Sequence, residues 1–374
     1  MERVPSLDLL RGLAAFSVAI PHYFVLNSTD RHPSEVVAVL AVEIFFVLSG
    51  FVLAPQILSC VRSGRVTNIK IFLVRRWMRT IPPYLVALLA ISYATGQIAS
   101  LDFVRYLFYV QNLLWQHNLN DYFPVAWSLS IEEWFYVTFI LIVFLCSRLY
   151  GRRDERFCAC VALAFIATIS VVRMMHDQSD GWDAEIRRVT VYRLDSIAYG
   201  FLLYLVVQRW RLRSHLVELS IGSRLAPAMI FCLFGTVGIV VTAFALNNGP
   251  AVAKVLFPFI APMFGVSAVL LFYTLSSATR ASWQSALFLY LGRVSYSVYL
   301  FHMLLILALR PHLQALSLLL QLAIYLGCML CACSLFYWYF ERPILAARPK
   351  YKQLNSFGAR TDDVPLANVV KGGL

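Results

Sequence analysis

Residues 7–26 read LDLLRGLAAFSVAIPHYFVL, an apolar run interrupted by Asp8, Arg11 and His22. At about 100° per residue, the eleven steps from Arg11 to His22 make three turns plus about 20°. The two side chains therefore share one helix face, separated by about 16 Å of axial rise. In a bilayer-spanning helix this sets an always-charged guanidinium near one interface and an imidazole toward the other. Ionisable groups inside a membrane are costly and mark a pathway or a site. The stretch predicts a spanning helix whose chemistry reaches through the membrane.

The rest of the chain agrees with a membrane reading. Of 374 residues, 60% are hydrophobic and 14% charged, and the mean hydropathy is +0.70. The first run reads as a retained span rather than a secretory leader: Asp8 and Arg11 interrupt it, no basic segment precedes it, and no convincing small-residue cleavage site is seen. Runs of spanning length lie at 9–27, 36–58, 81–97, 128–147, 157–174, 191–208, 226–246, 251–276, 286–309 and 315–339. They predict an all-α integral membrane protein, a bundle of about ten transmembrane helices. One transmembrane domain occupies 1–344, and 345–374 forms a polar tail read as disordered. Segment 98–127 is aromatic and only partly polar, and reads either as an interfacial or re-entrant helix or as an amphipathic loop.

The net charge of +12 raises the question of nucleic acid, and its distribution answers against it. Basic residues gather in alternate loops: Arg62, Arg65, Lys70, Arg75, Arg76 and Arg79; Arg148, Arg152, Arg153 and Arg156; Arg209, Arg211, Arg213 and Arg224; then Arg342, Arg348, Lys350 and Lys352. This is the positive-inside pattern, so the clusters mark the cytoplasm. An even number of spans then leaves both termini cytoplasmic. Cys328, Cys331 and Cys333 form a CxxCxC run in an apolar segment. It reads as a metal or redox site or, more plainly, as soft helix-packing residues. No metal is expected.

Further stretches gather polar groups inside apolar surroundings. In EIFFVLSGFVL, 43–53, Ser49 and Gly50 allow another backbone to approach closely. Glu43 is either a functional carboxylate or an interfacial one kept solvated. In FLVRRWMRTIPPY, 72–84, Arg76 and Arg79 share a helix face. Paired guanidiniums suit phosphate, as in coenzyme A, although positive-inside anchoring explains arginines there equally well. Pro82 and Pro83 are expected to set the entry of the next helix. In PVAWSLSIEEWFY, 124–136, Trp127 and Ser128 open a helix, and Ser130 with Glu133 has capping-box spacing. Glu132 and Glu133 are adjacent, point about 100° apart, and cannot share one pocket. One of them is expected near His22, where a carboxylate would raise the imidazole's basicity and fix its tautomer. In VYRLDSIAYGFLLYL, 191–205, Arg193 and Asp195 are either functional or paired for structure. His302, in SYSVYLFHMLL, is either catalytic or a buried hydrogen-bonded histidine.

Taken together, LDLLRGLAAFSVAIPHYF, FFVLSGFVL, RRWMRTIPPY, WSLSIEEWFY, YRLDSIAYG, YSVYLFH and YFERP resemble the membrane acyltransferase-3 family, found mainly in bacteria. The seven elements occur in family order from residue 7 to 343. The resemblance implies an inner-membrane O-acyltransferase. It would move an acyl group, typically acetyl, from cytoplasmic acyl-coenzyme A to a hydroxyl of a cell-envelope or exported carbohydrate or glycolipid. By position it implies His22 as the essential histidine, Arg11 as its paired arginine, Arg76 and Arg79 as the donor-binding RxxR element, and Glu132 as the glutamate of WSLSxE. Gly50 and Phe51 fall on SGF. Some members carry a fused extracytoplasmic esterase-like domain. None is evident here, which raises a separate extracytoplasmic partner as an expectation.

The catalytic candidates are His22, Glu132 and Arg11, and the donor-binding candidates Arg76, Arg79 and Arg11. The candidate substrate-binding residues are Glu43, Trp127, Ser128, Arg193, Asp195 and His302. The expected mechanism docks coenzyme A phosphates on Arg76 and Arg79, runs the pantetheine arm past Arg11, and uses His22, polarised by Glu132, as general base or acyl carrier. Two other classes fit many of the same residues. A transporter or flippase for a glycan or solute would also bury charges, without thioester chemistry. A scaffold or sensor would tolerate substitution of Arg11, His22 and Glu132.

Overall fold

The computed structural model describes residues 4–27, 32–115, 121–176, 182–210, 221–248, 255–275 and 282–351. Arg211, Arg213, Lys352 and the tail beyond it fall outside the described residues. The helices are α1 (Pro5–Asn27), α2 (His32–Ser63), α3 (Val66–Ala94), α4 (Leu101–Leu107), α5 (Ala126–Leu149), α6 (Glu155–Met175), α7 (Asp195–Arg209), α8 (Ile221–Asn248), α9 (Phe257–Leu275), α10 (Ser282–Leu313), α11 (Leu318–Phe336) and α12 (Arg342–Ala346). Wide helical turns sit at Asp183–Arg187 and at Tyr337–Glu341, the latter joining α11 to α12. No strand occurs among the described residues.

Eight stretches are long and apolar enough to cross a membrane: α2, α5, α6, α7 with the turn before it, α8, α9, α10, and α11 continued through α12. The protein is an all-helical, multi-pass membrane protein. Ten spans were expected from the sequence; the two outside these eight are α1 and α3, the helices that carry the chemistry-bearing charges Asp8, Arg11 and His22, and Lys70, Arg75, Arg76 and Arg79.

The boundary expected at Pro82 and Pro83 needs correction. Both prolines lie inside α3, which runs unbroken from Val66. A proline removes one helical hydrogen bond and crowds the carbonyl one turn back, and neighbouring helices in a bundle can supply replacement partners. The carbonyls that lose a helical donor here are those of Met78 and Arg79, and next to them the Tyr296 hydroxyl donates to the Thr80 carbonyl at 2.8 Å. Arg75, Arg76 and Arg79 are therefore mounted on the same helix that continues into the bundle.

α1 packs along α10 and α2, and α2 in turn packs on α7, α8 and α9. Two glycines set the α2–α7 distance. A Cβ on Gly50 would lie 1.9 Å from the Ile197 carbonyl oxygen, and one on Gly200 would lie 1.9 Å from the Val47 carbonyl oxygen. Backbone meets backbone at both points, so the SGF and AYG segments form one reciprocal crossing of the small-residue type that membrane helices use.

The segment expected as an interfacial helix or loop is a short helix plus a strap. The Ser100 hydroxyl accepts from the Phe103 amide at 3.0 Å and caps α4. The chain then presses two buried amides into the start of α5: Gln111 Nε2 donates to Ser130 Oγ at 2.6 Å, and Asn112 Nδ2 donates to the Trp127 carbonyl at 3.1 Å. The amides of Thr190 and Val191 donate to the carbonyls of Asn112 and Leu113 at 2.8 and 3.2 Å. The capping reading of Ser130 and Glu133 is corrected as well. α5 starts at Ala126, so Ser130 lies inside it and its hydroxyl donates back to the Ala126 carbonyl at 3.2 Å.

Three of the basic clusters meet at one end. Arg62 pairs with Glu155 at 2.7 Å, Arg153 Nη1 donates to the Arg62 carbonyl at 3.3 Å, and Arg148 Nη1 donates to the Gly64 carbonyl at 3.3 Å. Arg75 Nη1 donates to the Pro349 carbonyl at 2.7 Å, which brings the chain after α12 to the same end of α3.

Candidate functional site

Arg11 and His22 both turn inward from α1, toward different partners. Arg11 lies 3.7 Å from Asp8, one turn back, and within electrostatic reach of Arg79, Arg76 and Glu132. It thus joins the guanidiniums of α3. Arg76 Nη2 donates to Gln56 Oε1 at 2.8 Å, and its Nε is buried without a hydrogen-bond partner among the described residues. Arg75, Arg76 and Arg79 have no ion pair among the described residues. Guanidiniums grouped this closely favour an anionic group among them.

His22 pairs with a residue 280 positions away: its Nδ1 lies 3.0 Å from His302 Nε2. The two rings lie within 10° of parallel, with centroids 5.1 Å apart. His302 is fully buried, and its Nδ1 lies 2.7 Å from the Tyr299 carbonyl oxygen. A carbonyl only accepts, so His302 Nδ1 carries a proton. A neutral His302 then presents Nε2 as an acceptor, and His22 Nδ1–H donates to it. This leaves the His22 Nε2 lone pair free. The backbone carbonyl and two imidazoles fix His22 in the tautomer that can take a proton.

The carboxylate expected beside His22 is therefore replaced by His302. Glu132 faces α2: Ser49 Oγ donates to Glu132 Oε1 at 2.6 Å and the Tyr136 hydroxyl donates to the same oxygen. It lies in the electrostatic surroundings of Arg11 and Arg76. Glu133 is buried toward Thr80 and Trp77 of α3. The adjacent pair thus splits between two neighbours, as the 100° step between them requires.

Between the two ends runs a file of hydroxyls. Tyr136 and Ser49 lie at Glu132 (Ser49 Oγ to Tyr136 Oη 3.2 Å). On α10, Tyr296 reaches Thr80, Tyr299 lies 2.5 Å from Ser128 Oγ, and His302 follows. Tyr296 and His302 are six residues apart, about 9 Å of helix rise.

At the His22 end, Arg187 stacks over Trp127 with its Cζ 4.6 Å from the ring centroid, and it pairs with Asp183. Arg188 pairs with Asp183 at 2.7 Å and with Asp121 at 3.7 Å. Burial alone would raise the Asp183 carboxyl, but Arg187 and Arg188 outweigh it and hold it down at about 2. This cluster therefore stays ionised at any physiological pH. Both arginines act electrostatically on His22. Sequence reading passed over them; the available signal was a dibasic pair in a loop otherwise assigned to the Arg-poor side.

Glu43, Arg193 and Asp195 sit in buried ion pairs, the structural alternative their sequence left open beside substrate binding, and Glu43 Oε2 and Arg193 Nε and Nη1 have no hydrogen-bond partner among the described residues. Arg193 pairs with Glu43 and lies over Phe257, its Cζ 5.1 Å from the ring centroid. Asp195 pairs with Arg173 of α6 at 2.8 Å, and all four side chains are 0–1% exposed. The consecutive polar residues of YRLDS thus tie α7 to α2 on one side and to α6 on the other. Ser128 meets Tyr299, whose ring centroid lies 6.0 Å from that of His302, and Trp127 lies under Arg187. In the CxxCxC run Cys328 is half-buried, Cys331 exposed and Cys333 buried, so the three thiols do not converge.

Fold and site together define a membrane-embedded protein with a guanidinium cluster toward one end and an oriented imidazole toward the other, with hydroxyl-bearing side chains between them. The family described as an acyltransferase domain, acyltransferase-3, matches residues 4–338. The chain belongs to this family. It is 25% identical over 334 residues to a Staphylococcus aureus (strain COL) protein whose name carries a provisional O-acetyltransferase assignment, covering 81% of this chain and 50% of that protein. It is 27% identical over 256 residues to the O-acetyltransferase OatA of Staphylococcus aureus (strain NCTC 8325), covering 63% of this chain and 41% of the relative. It is 31% identical over 160 residues to the peptidoglycan O-acetyltransferase OatA of Listeria monocytogenes (strain EGD-e), covering 38% and 25%. The chain spans about half the length of the first of these. No solved structure matches it significantly.

Proposed function

We propose that the protein is an O-acyltransferase of the bacterial inner membrane. It takes an acyl group, most simply acetyl, from cytoplasmic acyl-coenzyme A and passes it to a hydroxyl of a cell-envelope or exported carbohydrate. The observation that carries this reading is the Tyr299 carbonyl–His302–His22 chain, which leaves His22 Nε2 free as a base on the same helix that carries Arg11 into the arginine cluster. The convergence of the basic clusters supports a cytoplasmic arginine end and cytoplasmic termini. The relatives' names support acetyl and a glycan.

The donor's phosphates bind Arg76 and Arg79, with Arg11 next along the path. Ser49, Tyr136 and Tyr296 line the way for the amide-bearing arm, and Glu132 holds Arg11 and Arg76 in place as their counter-charge. The thioester then lies at His22. His22 Nε2 takes the proton of the acceptor hydroxyl as its oxygen attacks the thioester carbonyl carbon. The C–S bond breaks, and the departing thiolate takes the proton back from His22 Nε2. His302 shares the positive charge on His22 meanwhile. Arg187, held over Trp127, is the cation best placed to offset the oxyanion.

The decisive experiment supplies purified protein in lipid nanodiscs with radiolabelled acetyl-coenzyme A and an envelope glycan fraction. Label is expected in base-labile ester on the glycan. Intact donor after prolonged incubation with every glycan fraction would instead favour a carrier without acyl chemistry.

His302 is a positioning residue in this scheme, and its substitutions separate orientation from packing. His302→Ala leaves His22 free to adopt either tautomer and is expected to lower kcat about 100-fold. His302→Gln offers an amide oxygen to the His22 Nδ1–H and is expected to stay within about tenfold of the native enzyme, with donor KM unchanged. Equal loss in both variants would mean that His302 acts only by filling space.

A further inference from the structure

The segment after α12 folds back against the arginine cluster. Arg75 fixes it by donating to the Pro349 carbonyl at 2.7 Å and lies over the Tyr351 ring, Cζ to centroid 5.2 Å. The Tyr351 hydroxyl donates to Gln56 Oε1 at 3.4 Å, the same oxygen that accepts from Arg76 Nη2 at 2.8 Å. Arg348, the residue before Pro349, is half-buried, with its Nε buried and without a hydrogen-bond partner among the described residues. Burial and the guanidiniums of Arg79, Arg76 and Arg75 push Arg348 down to about 9. The carboxylate in electrostatic reach, Glu341, is engaged by Ser297 Oγ. Arg348 thus adds a fifth charge to a cluster that already repels itself.

The cluster has an order along α3. Arg75 meets Pro349 and Tyr351, whereas Thr80, beyond Arg79 on the same helix, meets Tyr296 of α10, six residues before His302. Tyr351 and the neighbouring Arg348 therefore lie at the end of the arginine row away from His22. Acyl-coenzyme A is also ordered: thioester, pantetheine, diphosphate, then a ribose with its 3′-phosphate and adenine. With the thioester at His22 and the diphosphate on the α3 arginines, the last group to be placed is the phosphorylated nucleoside. A guanidinium beside an aromatic ring suits a phosphate beside a base. Resting on the acyl-coenzyme A reading above, we infer that Arg348 binds the 3′-phosphate of the donor and Tyr351 stacks its adenine, so that the post-helical segment makes the enzyme selective for the 3′-phosphorylated donor.

The test compares acetyl-coenzyme A with acetyl-(3′-dephospho)-coenzyme A on the full chain in nanodiscs. The native protein is expected to show a donor KM about tenfold higher for the dephospho compound. Arg348→Gln should raise the KM for acetyl-coenzyme A by about the same factor and leave that for the dephospho donor within about twofold. Arg348→Lys, which keeps the charge, should restore most of the preference. Equal use of the two donors by the native protein overturns the inference whether or not the Gln variant folds, as does a KM rise of equal size for both donors in Arg348→Gln. Turnover of neither donor by well-folded native protein overturns the acyltransferase reading along with it.

Discussion

Replacing His22 with alanine is expected to lower acyl transfer by about 10³-fold or more, while the protein still inserts and purifies as the native chain does. The variant loses the free Nε2 that accepts the hydroxyl proton. It also strands His302 Nε2 as a buried acceptor, a structural cost of about 1–3 kcal/mol. His22→Gln separates the two effects. Its amide N–H can still donate to His302 Nε2, but it has no basic lone pair, so it should be as inactive as the alanine variant and nearly as stable as the native protein. Rates are read with labelled acetyl-coenzyme A and folding by thermal melting in detergent. Near-native transfer by either well-folded variant removes His22 from the chemistry. Acyl label retained on native protein when no acceptor is supplied, and absent from both variants, would assign His22 as a covalent carrier rather than a base.

The largest effect on stability is expected at the α2–α7 crossing. In Gly200→Ala the new methyl would lie 1.9 Å from the Val47 carbonyl oxygen and 2.8 Å from the Phe51 amide nitrogen. Neither contact is a side chain that could rotate away. The helices must separate along their length, and the buried Arg193–Glu43 pair at the same junction must stretch with them. Overpacking of this kind costs about 3 kcal/mol, enough to lower the melting temperature sharply and the yield of monodisperse protein with it. Gly327 is the control: nothing lies within 4 Å of a Cβ built there, and alanine suits an exposed helical position better than glycine. Gly327→Ala should melt at or slightly above the native temperature. Equal melting of Gly200→Ala and Gly327→Ala would show that α2 and α7 are not in the contact described.

Much of the site was legible because helical periodicity is local. The shared face of Arg11 and His22 follows from their spacing, and the divergence of Glu132 and Glu133 follows from their adjacency. The SGF segment announces a close helix contact by its small residues. Spacing does not say which neighbour a side chain meets. Glu132 was assigned to His22 and instead meets Ser49 and Tyr136. The orienting group came from His302, on a helix far along the chain, for which no local pattern exists. Arg187 and Arg188 stand out in no local pattern, and Arg348 reads only as an orientation marker, because a loop arginine looks the same in sequence whether it anchors to a headgroup or lines a site.

By itself the sequence determined that this is a helical membrane protein, that an arginine and a histidine share a face of its first helix, and that its basic loops gather on one side; each rests on composition or on the geometry of a single helix. Only the tertiary structure decided which charges neutralise one another. It closed Glu43, Arg193, Arg173 and Asp195 into ion pairs, left the α3 arginines and Arg348 facing together, and fixed the His22 tautomer through His302. The reason is physical: a buried polar group takes its state from whatever donor or acceptor lies within about 3 Å, and in a bundle that partner comes from another helix.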